Sequence, residues 1–321
     1  MGAPFDRLFP GGRMYQNYIQ PETAFMLMAL DALAYLPIAR FHDELSAILE
    51  ADDIGEITGD AEKFVPGILW ARNANRVILA YQGTVGTRAW FYYVAGAGAL
   101  PYGPAPGRCF APFVTIANQL WPELAAVFTN ADRLLLTGHS LGAAVAGMHS
   151  TELSRSGLWC EPSWLFACPR FADQAYVSAR IGSSITVNLP YDAVPLLPPN
   201  VIDYLGNSLP SIRWEQVWRL LPGRLAIGAV QAAQEPLAGP DQLVVLAAAN
   251  LPFNTSVHQT YQYLRSCWSG LGGNATPAAV ELAALCKSLG LFDPWPSAQE
   301  GRLAEVDLTP AVAGGLLPWK G

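Results

Sequence analysis

Short apolar runs rich in β-forming residues alternate along the chain with longer stretches whose apolar positions recur at helical spacing. The runs at 67–71 (GILWA), 76–81 (RVILAY), 133–137 (RLLLT), 164–168 (WLFAC) and 185–189 (ITVNL) predict strands, apolar enough for both faces of a parallel sheet to be buried. The first two predict a hairpin turning at Asn73-Ala74-Asn75. Helical spacing is clearest at 22–36, 111–129, 141–155, 257–267 and 277–288, the last opened by Thr276 as N-cap. From 289 onward the chain is rich in Pro and Gly and is expected to be irregular. Strands alternating with helices predict an α/β fold.

Composition narrows this. With 321 residues, 51% hydrophobic and 14% charged, the chain can bury a large core, and one domain over 1–321 is the expectation. The net charge of -7 and the scattered basic residues exclude the cationic stripes that bind nucleic acid. The acids from Asp43 to Glu62 read as a solvated surface, because the glycines fall at the wrong offsets for a calcium loop. Five cysteines, with no C-x-x-C pair, suggest reduced, buried thiols and no metal cage. Residues 89–107 carry no charge, but Pro101, Pro104 and Pro106 interrupt them, so no transmembrane segment is expected. The first residues do not form an export signal, which suggests a cytoplasmic protein or a mature or truncated form of a secreted one.

Chemistry concentrates in Leu134-Leu135-Leu136-Thr137-Gly138-His139-Ser140-Leu141-Gly142-Ala143-Ala144, an apolar strand, a G-x-S-x-G turn and small helix-forming residues. A serine that attacks a carbonyl must project from a tight strand-to-helix turn, and the flanking glycines remove the Cβ atoms that would collide there. The first helix amides then face the developing oxyanion.

Such a serine needs a base downstream. Of four histidines, His42 lies upstream, His139 sits inside the turn and His149 falls on the following helix, leaving His258. Among the intervening acids Asp192 fits best, since it follows the strand-like Ile185–Leu189 and precedes a proline-stiffened loop; Asp203 and Asp173 are its rivals.

These residues resemble the class 3 lipases, the fungal-type triacylglycerol lipases. Four motifs match in order: Ala80-Tyr81-Gln82-Gly83-Thr84 with Trp90 after it, Gly138 to Ala144, Asp192-Ala193-Val194-Pro195, and His258-Gln259-Thr260-Tyr261. A weaker fifth is Phe166-Ala167-Cys168-Pro169-Arg170-Phe171. The resemblance covers roughly residues 65–265 and implies an α/β-hydrolase fold, a Ser140, Asp192, His258 triad, and an oxyanion hole from Thr84 and the Leu141 amide. Gln82 departs from the family's usual Arg, Ala167 and Phe171 alter the Pro-Arg strand, and 200–256 looks individual, a candidate substrate-site insertion. Asp173 falls where the family tends to have Asn, which lowers it as the acid.

The expected function is hydrolysis of apolar carboxylic esters, with a lipid substrate and no cofactor. Phospholipase A1, thioesterase, carboxylesterase and peptidase activities use the same triad, and a non-catalytic binding module of the same fold is the alternative class. Residues 85–107, with Trp90-Phe91-Tyr92-Tyr93-Val94, read as a lid that touches a lipid interface transiently, the alternative being a buried support for the oxyanion loop.

Overall fold

The computed structural model describes residues 4–9, 21–60, 65–84, 99–179, 182–189, 192, 194–196, 242–245 and 259–292. Three helices come first: α1 (Pro4–Leu8), α2 (Pro21–Leu33) and α3 (His42–Leu49). Strands β1 (Asp53–Ile57), β2 (Ile68–Asn73) and β3 (Arg76–Tyr81) follow, then the short β4 (Ala99–Leu100) and β5 (Cys109–Phe110). Helix α4 (Ala111–Val127), strand β6 (Arg133–His139) and helix α5 (Leu141–Arg155) form the centre. Beyond them lie β7 (Trp159–Cys160), β8 (Ser163–Phe166), α6 (Gln174–Ser178), β9 (Ser184–Asn188) and β10 (Gln242–Val245), then α7 (Thr260–Ser269) and α8 (Pro277–Ser288).

The main sheet runs β1-β2-β3-β6-β8-β9-β10, with β7 paired to the start of β6. All pairings from β3 onward are parallel. The β1-β2-β3 edge is antiparallel, so the predicted parallel character does not extend to the strand at 68–73. The predicted hairpin is present and turns at Ala74, which adopts the left-handed φ of 52° that such a tight reversal demands.

Both faces of the sheet are buried, which is why its central strands read as unbroken apolar runs. Val77, Leu79 and Tyr81 of β3 and Leu134 and Leu136 of β6 pack with α4 and α5. Ile78, Ala80 and Leu135 point the other way, onto α2, α7 and α8. Helix α2 is buried from Thr23 to Leu33 because its sequence is apolar around nearly its whole circumference. A mostly parallel sheet with helices on both faces and a strand-to-helix turn after β6 is the α/β-hydrolase fold.

The acidic stretch has more structure than its charge suggested. Asp43, Glu44, Glu50, Asp52, Asp53 and Glu56 are exposed, as expected, while Leu45, Ile48, Leu49, Ile54 and Ile57 between them are buried in α3 and β1. Thr276 caps α8, its hydroxyl accepting from the Ala279 amide at 3.4 Å. Helix α7 begins at Thr260, three residues later than predicted. Within 200–256, residues 242–245 form β10 of the sheet. No helix among the described residues is long and apolar enough to cross a membrane.

Candidate active site

Parallel register brings the site together. Tyr81 of β3 lies opposite Gly138 of β6, His139 opposite Phe166 of β8, and Phe166 opposite Val187 of β9. The segments that leave these strands, carrying Gly83 and Thr84, Ser140, and Asp192, therefore emerge at one level on the carboxyl edge, where open α/β sheets bind ligands.

Ser140 sits between β6 and α5 with φ 59° and ψ −125°, a conformation that a residue with a side chain adopts only under constraint. Its amide is held by the Phe166 carbonyl at 2.9 Å, and its own carbonyl accepts from Ala143 at 3.0 Å. The glycines are obligatory here. A Cβ on Gly138 would meet the Gly142 carbonyl carbon at 2.5 Å, and one on Gly142 would collide with the Tyr81 carbonyl. Strand and helix thus approach closely enough to hold the seryl side chain, itself buried, at the helix N-terminus, next to Leu141.

Gly83 makes the second close approach. A Cβ there would lie 3.3 Å from the Ser140 Cβ and 2.7 Å from the His139 carbonyl oxygen. The half-buried Thr84 is the next residue, so its backbone leaves directly from the nucleophile's side. Gln82 is fixed by its Oε1, which accepts from the Gly67 amide at 2.8 Å and ties this strand end to the start of β2.

Asp192 is buried and held by the Val194 amide, which donates to Oδ1 at 2.9 Å, and by the Tyr263 hydroxyl, which donates to Oδ2 at 2.7 Å. Tyr263 in turn accepts from the Leu189 amide at 3.0 Å. Burial, and then the Asp192 carboxylate, push the Tyr263 phenol well above its ordinary pKa, so it remains a donor. Its ring stands edge-on to His139, centroids 5.3 Å apart. One tyrosine on α7 thus connects the acid with the residue preceding the nucleophile.

His258 lies outside the described residues, two positions before α7 begins. The rival Asp203 also lies outside them. Asp173 serves elsewhere, capping α6 through the Tyr176 amide at 2.9 Å and accepting from the Arg108 amide at 2.9 Å. The buried His139 has its Nδ1 3.4 Å from the Tyr35 hydroxyl. Of the candidate lid, 85–98 fall outside the described residues, and within 99–107 Leu100 is exposed while Tyr102 is buried. All five cysteines are free, four of them buried. Sequence reasoning did not single out Tyr35, Tyr263 or Asp31, since nothing local marks a buried tyrosine or aspartate as a support.

Residues 78–202 match the family model of the class 3 lipases. The matched segment carries the elbow, the Gly83-Thr84 strand end and Asp192. Two relatives, each a secreted mono- and diacylglycerol lipase A, come from Penicillium cyclopium and Penicillium camembertii. Each is 29% identical over 146 residues, covering 41% of this chain and 46% of the relative, so the chain spans about half the length of the curated relatives it matches. Among solved structures, the Rhizomucor miehei triacylglyceride lipase is 19% identical with a TM-score of 0.47, over 59% of this chain and 76% of that one. Lipase II from Rhizopus niveus is 18% identical with a TM-score of 0.46, over 56% and 75%.

Proposed function

We propose that this chain is a serine hydrolase that cleaves carboxylic esters with apolar acyl chains, acylglycerols foremost, through Ser140, His258 and Asp192. The observation that carries the reading is the constrained backbone of Ser140, held between two obligatory glycines at a helix N-terminus. His258 takes the Ser140 proton as Oγ bonds to the ester carbonyl carbon, and the carbonyl oxygen becomes an oxyanion facing Thr84 and the Leu141 amide. The intermediate collapses, the ester C–O bond breaks, and the alcohol leaves with the proton from His258. Water then gives a proton to His258 and its oxygen to the acyl carbon; the acid departs and Ser140 recovers its proton. Asp192 stays ionised throughout and orients the imidazole, which it can do because the Val194 amide and the Tyr263 hydroxyl fix its carboxylate. Residues 85–107 are the proposed cover of this site, meeting a lipid interface when it opens.

The test is reaction with a fluorophosphonate together with hydrolysis of a chromogenic ester. Ser140→Ala is expected to abolish both while melting like the wild type, because loss of one hydroxyl opens no core cavity. Asp192→Asn should cost about four orders of magnitude in rate, whereas Asp173→Asn should leave the rate intact, since Asn also caps helices. Wild-type turnover by Ser140→Ala refutes the reading, and the reverse ranking of the two aspartates reassigns the acid.

A further inference from the structure

The turn that follows α2 carries a tyrosine that the mechanism does not use. Its backbone is fastened to the buried helix: the Ala34 amide donates to the Leu30 carbonyl at 2.9 Å, and the Leu36 amide to the Leu33 carbonyl at 2.9 Å. Tyr35 between them is half-buried, and its hydroxyl is directed inward, against the ends of β3 and β6 and the start of α7.

Three groups meet at that one oxygen. His139 Nδ1 lies 3.4 Å away. Gly83 passes so close that a Cβ there would collide with the hydroxyl. The Thr260 hydroxyl and the Gly83 amide both donate hydrogen bonds to it. A phenol has one proton to give and lone pairs to receive with, so two accepted bonds leave that proton for His139. Burial pushes the phenol well above its ordinary pKa, and the proton is kept.

The partners are not scattered. Gly83 precedes Thr84, His139 precedes Ser140, and Thr260 stands two positions after His258. Each belongs to a different arm of the proposed machinery, the oxyanion residue, the nucleophile and the base. The ladder sets β3 against β6 as far as Tyr81 and Gly138. Helix α7 lies outside the sheet, so a side chain has to register its start with the other two.

We propose that Tyr35 is a positioning residue of the ester hydrolase, its hydroxyl tying the strand end at Gly83, the elbow at His139 and the start of α7 at Thr260 into one unit. This rests on the ester-hydrolase reading and deepens it. Tyr35 acts through these neighbours and takes no part in making or breaking bonds.

The experiment removes the tie from both ends. Tyr35→Phe keeps the ring and loses the hydroxyl; Thr260→Val keeps the shape and loses the donor. On p-nitrophenyl butyrate in solution, each is expected to lower kcat by about tenfold or more with KM held, because misplaced groups weaken the transition state more than substrate binding. The double variant should be about as slow as Tyr35→Phe, which already removes the bond that Thr260→Val removes. Amide exchange gives a readout that needs no turnover: in Tyr35→Phe the Gly83 amide should exchange about tenfold faster, while that of Leu135 inside β6 keeps its wild-type rate. Packing alone would lower the melting temperature and leave kcat unchanged. A cooperatively melting Tyr35→Phe or Thr260→Val with wild-type kcat therefore overturns the proposal while the ester hydrolase stands, and losses that multiply in the double variant overturn the shared oxygen. A wild type that hydrolyses no ester sinks the hydrolase reading, and exchange then decides the tie: selectively faster exchange at Gly83 sustains it, and an unchanged rate ends it.

Discussion

On the α4–α5 side of the sheet, a buried histidine supports the end of β3; on the α2 side, a buried aspartate supports β6. His149 is fully satisfied. The Tyr81 hydroxyl lies 2.9 Å from Nδ1 and the Ala117 carbonyl 3.0 Å from Nε2. A carbonyl only accepts, so Nε2 carries the proton and Tyr81 donates to Nδ1. Asp31 is satisfied on one oxygen: Oδ2 accepts from the Thr137 hydroxyl at 2.9 Å, while Oδ1 has no hydrogen-bond partner among the described residues. Burial disfavours the charged form of both groups, pushing His149 down to about 4 and Asp31 well above the usual carboxylate range. The two faces therefore respond to pH with opposite sign, and each supports a strand that ends at the proposed catalytic edge.

The largest effect belongs to His149. Between pH 6.5 and 4 the unfolded chain binds a proton there that the native state refuses, so stability is lost as pH falls through that window and levels off below it. A shift of this size corresponds to about 3 kcal/mol. Denaturant unfolding at steps from pH 7 to 4 should show this slope, and His149→Gln should flatten it relative to wild type. Because the substitution also disturbs the bonds to Tyr81 and Ala117, it should cost about 1–3 kcal/mol at pH 7. Parallel curves for the two proteins would mean that other groups cause the acid loss.

On the α2 side, Tyr263 meets both His139 and Asp192. Tyr263→Phe keeps the ring and removes the donor to Oδ2. It is expected to lower kcat/KM by about tenfold. A carboxylate relieved of one donor also attracts the imidazolium more strongly, so the acid limb of the rate profile should move to higher pH. A folded variant with wild-type rate and an unmoved limb would reduce Tyr263 to packing.

The same contrast explains which parts were legible in the sequence. The elbow could be read because all its determinants are contiguous: an apolar strand, two glycines that remove clashes, and small residues that begin a helix. Strands β3, β6 and β8 were legible because burial on both faces makes them apolar throughout. Strand β1 was not, since only Ile54 and Ile57 turn inward and exposed acids mask them. The supports were invisible for another reason. Asp31 meets Thr137 across 106 positions and Asp192 meets Tyr263 across 71, and no local period encodes such pairings.

The smallest effect is the most direct test of the two-face contrast. A carboxyl whose folded pKa is raised contributes stability only while protonated: it is fully present below the unfolded value of 3.8 and lost as pH rises through the folded one. At neutral and mildly alkaline pH, Asp31 therefore weighs against folding, the reverse of His149. Asp31→Asn removes the titration and keeps an acceptor for the Thr137 hydroxyl. The variant should be more stable than wild type at pH 8, by about 1 kcal/mol or more, with the gap closing as pH falls toward 4. Activity should hold, because β6 keeps its anchor three residues before Ser140. Asp31→Leu discards the anchor as well and leaves the Thr137 hydroxyl buried, so it should lose stability at every pH and gain nothing from alkali. If Asn proves as costly as Leu, the carboxyl is needed in its charged form. An unseen cationic partner would then have to face it, and the opposition between the two sides would fail.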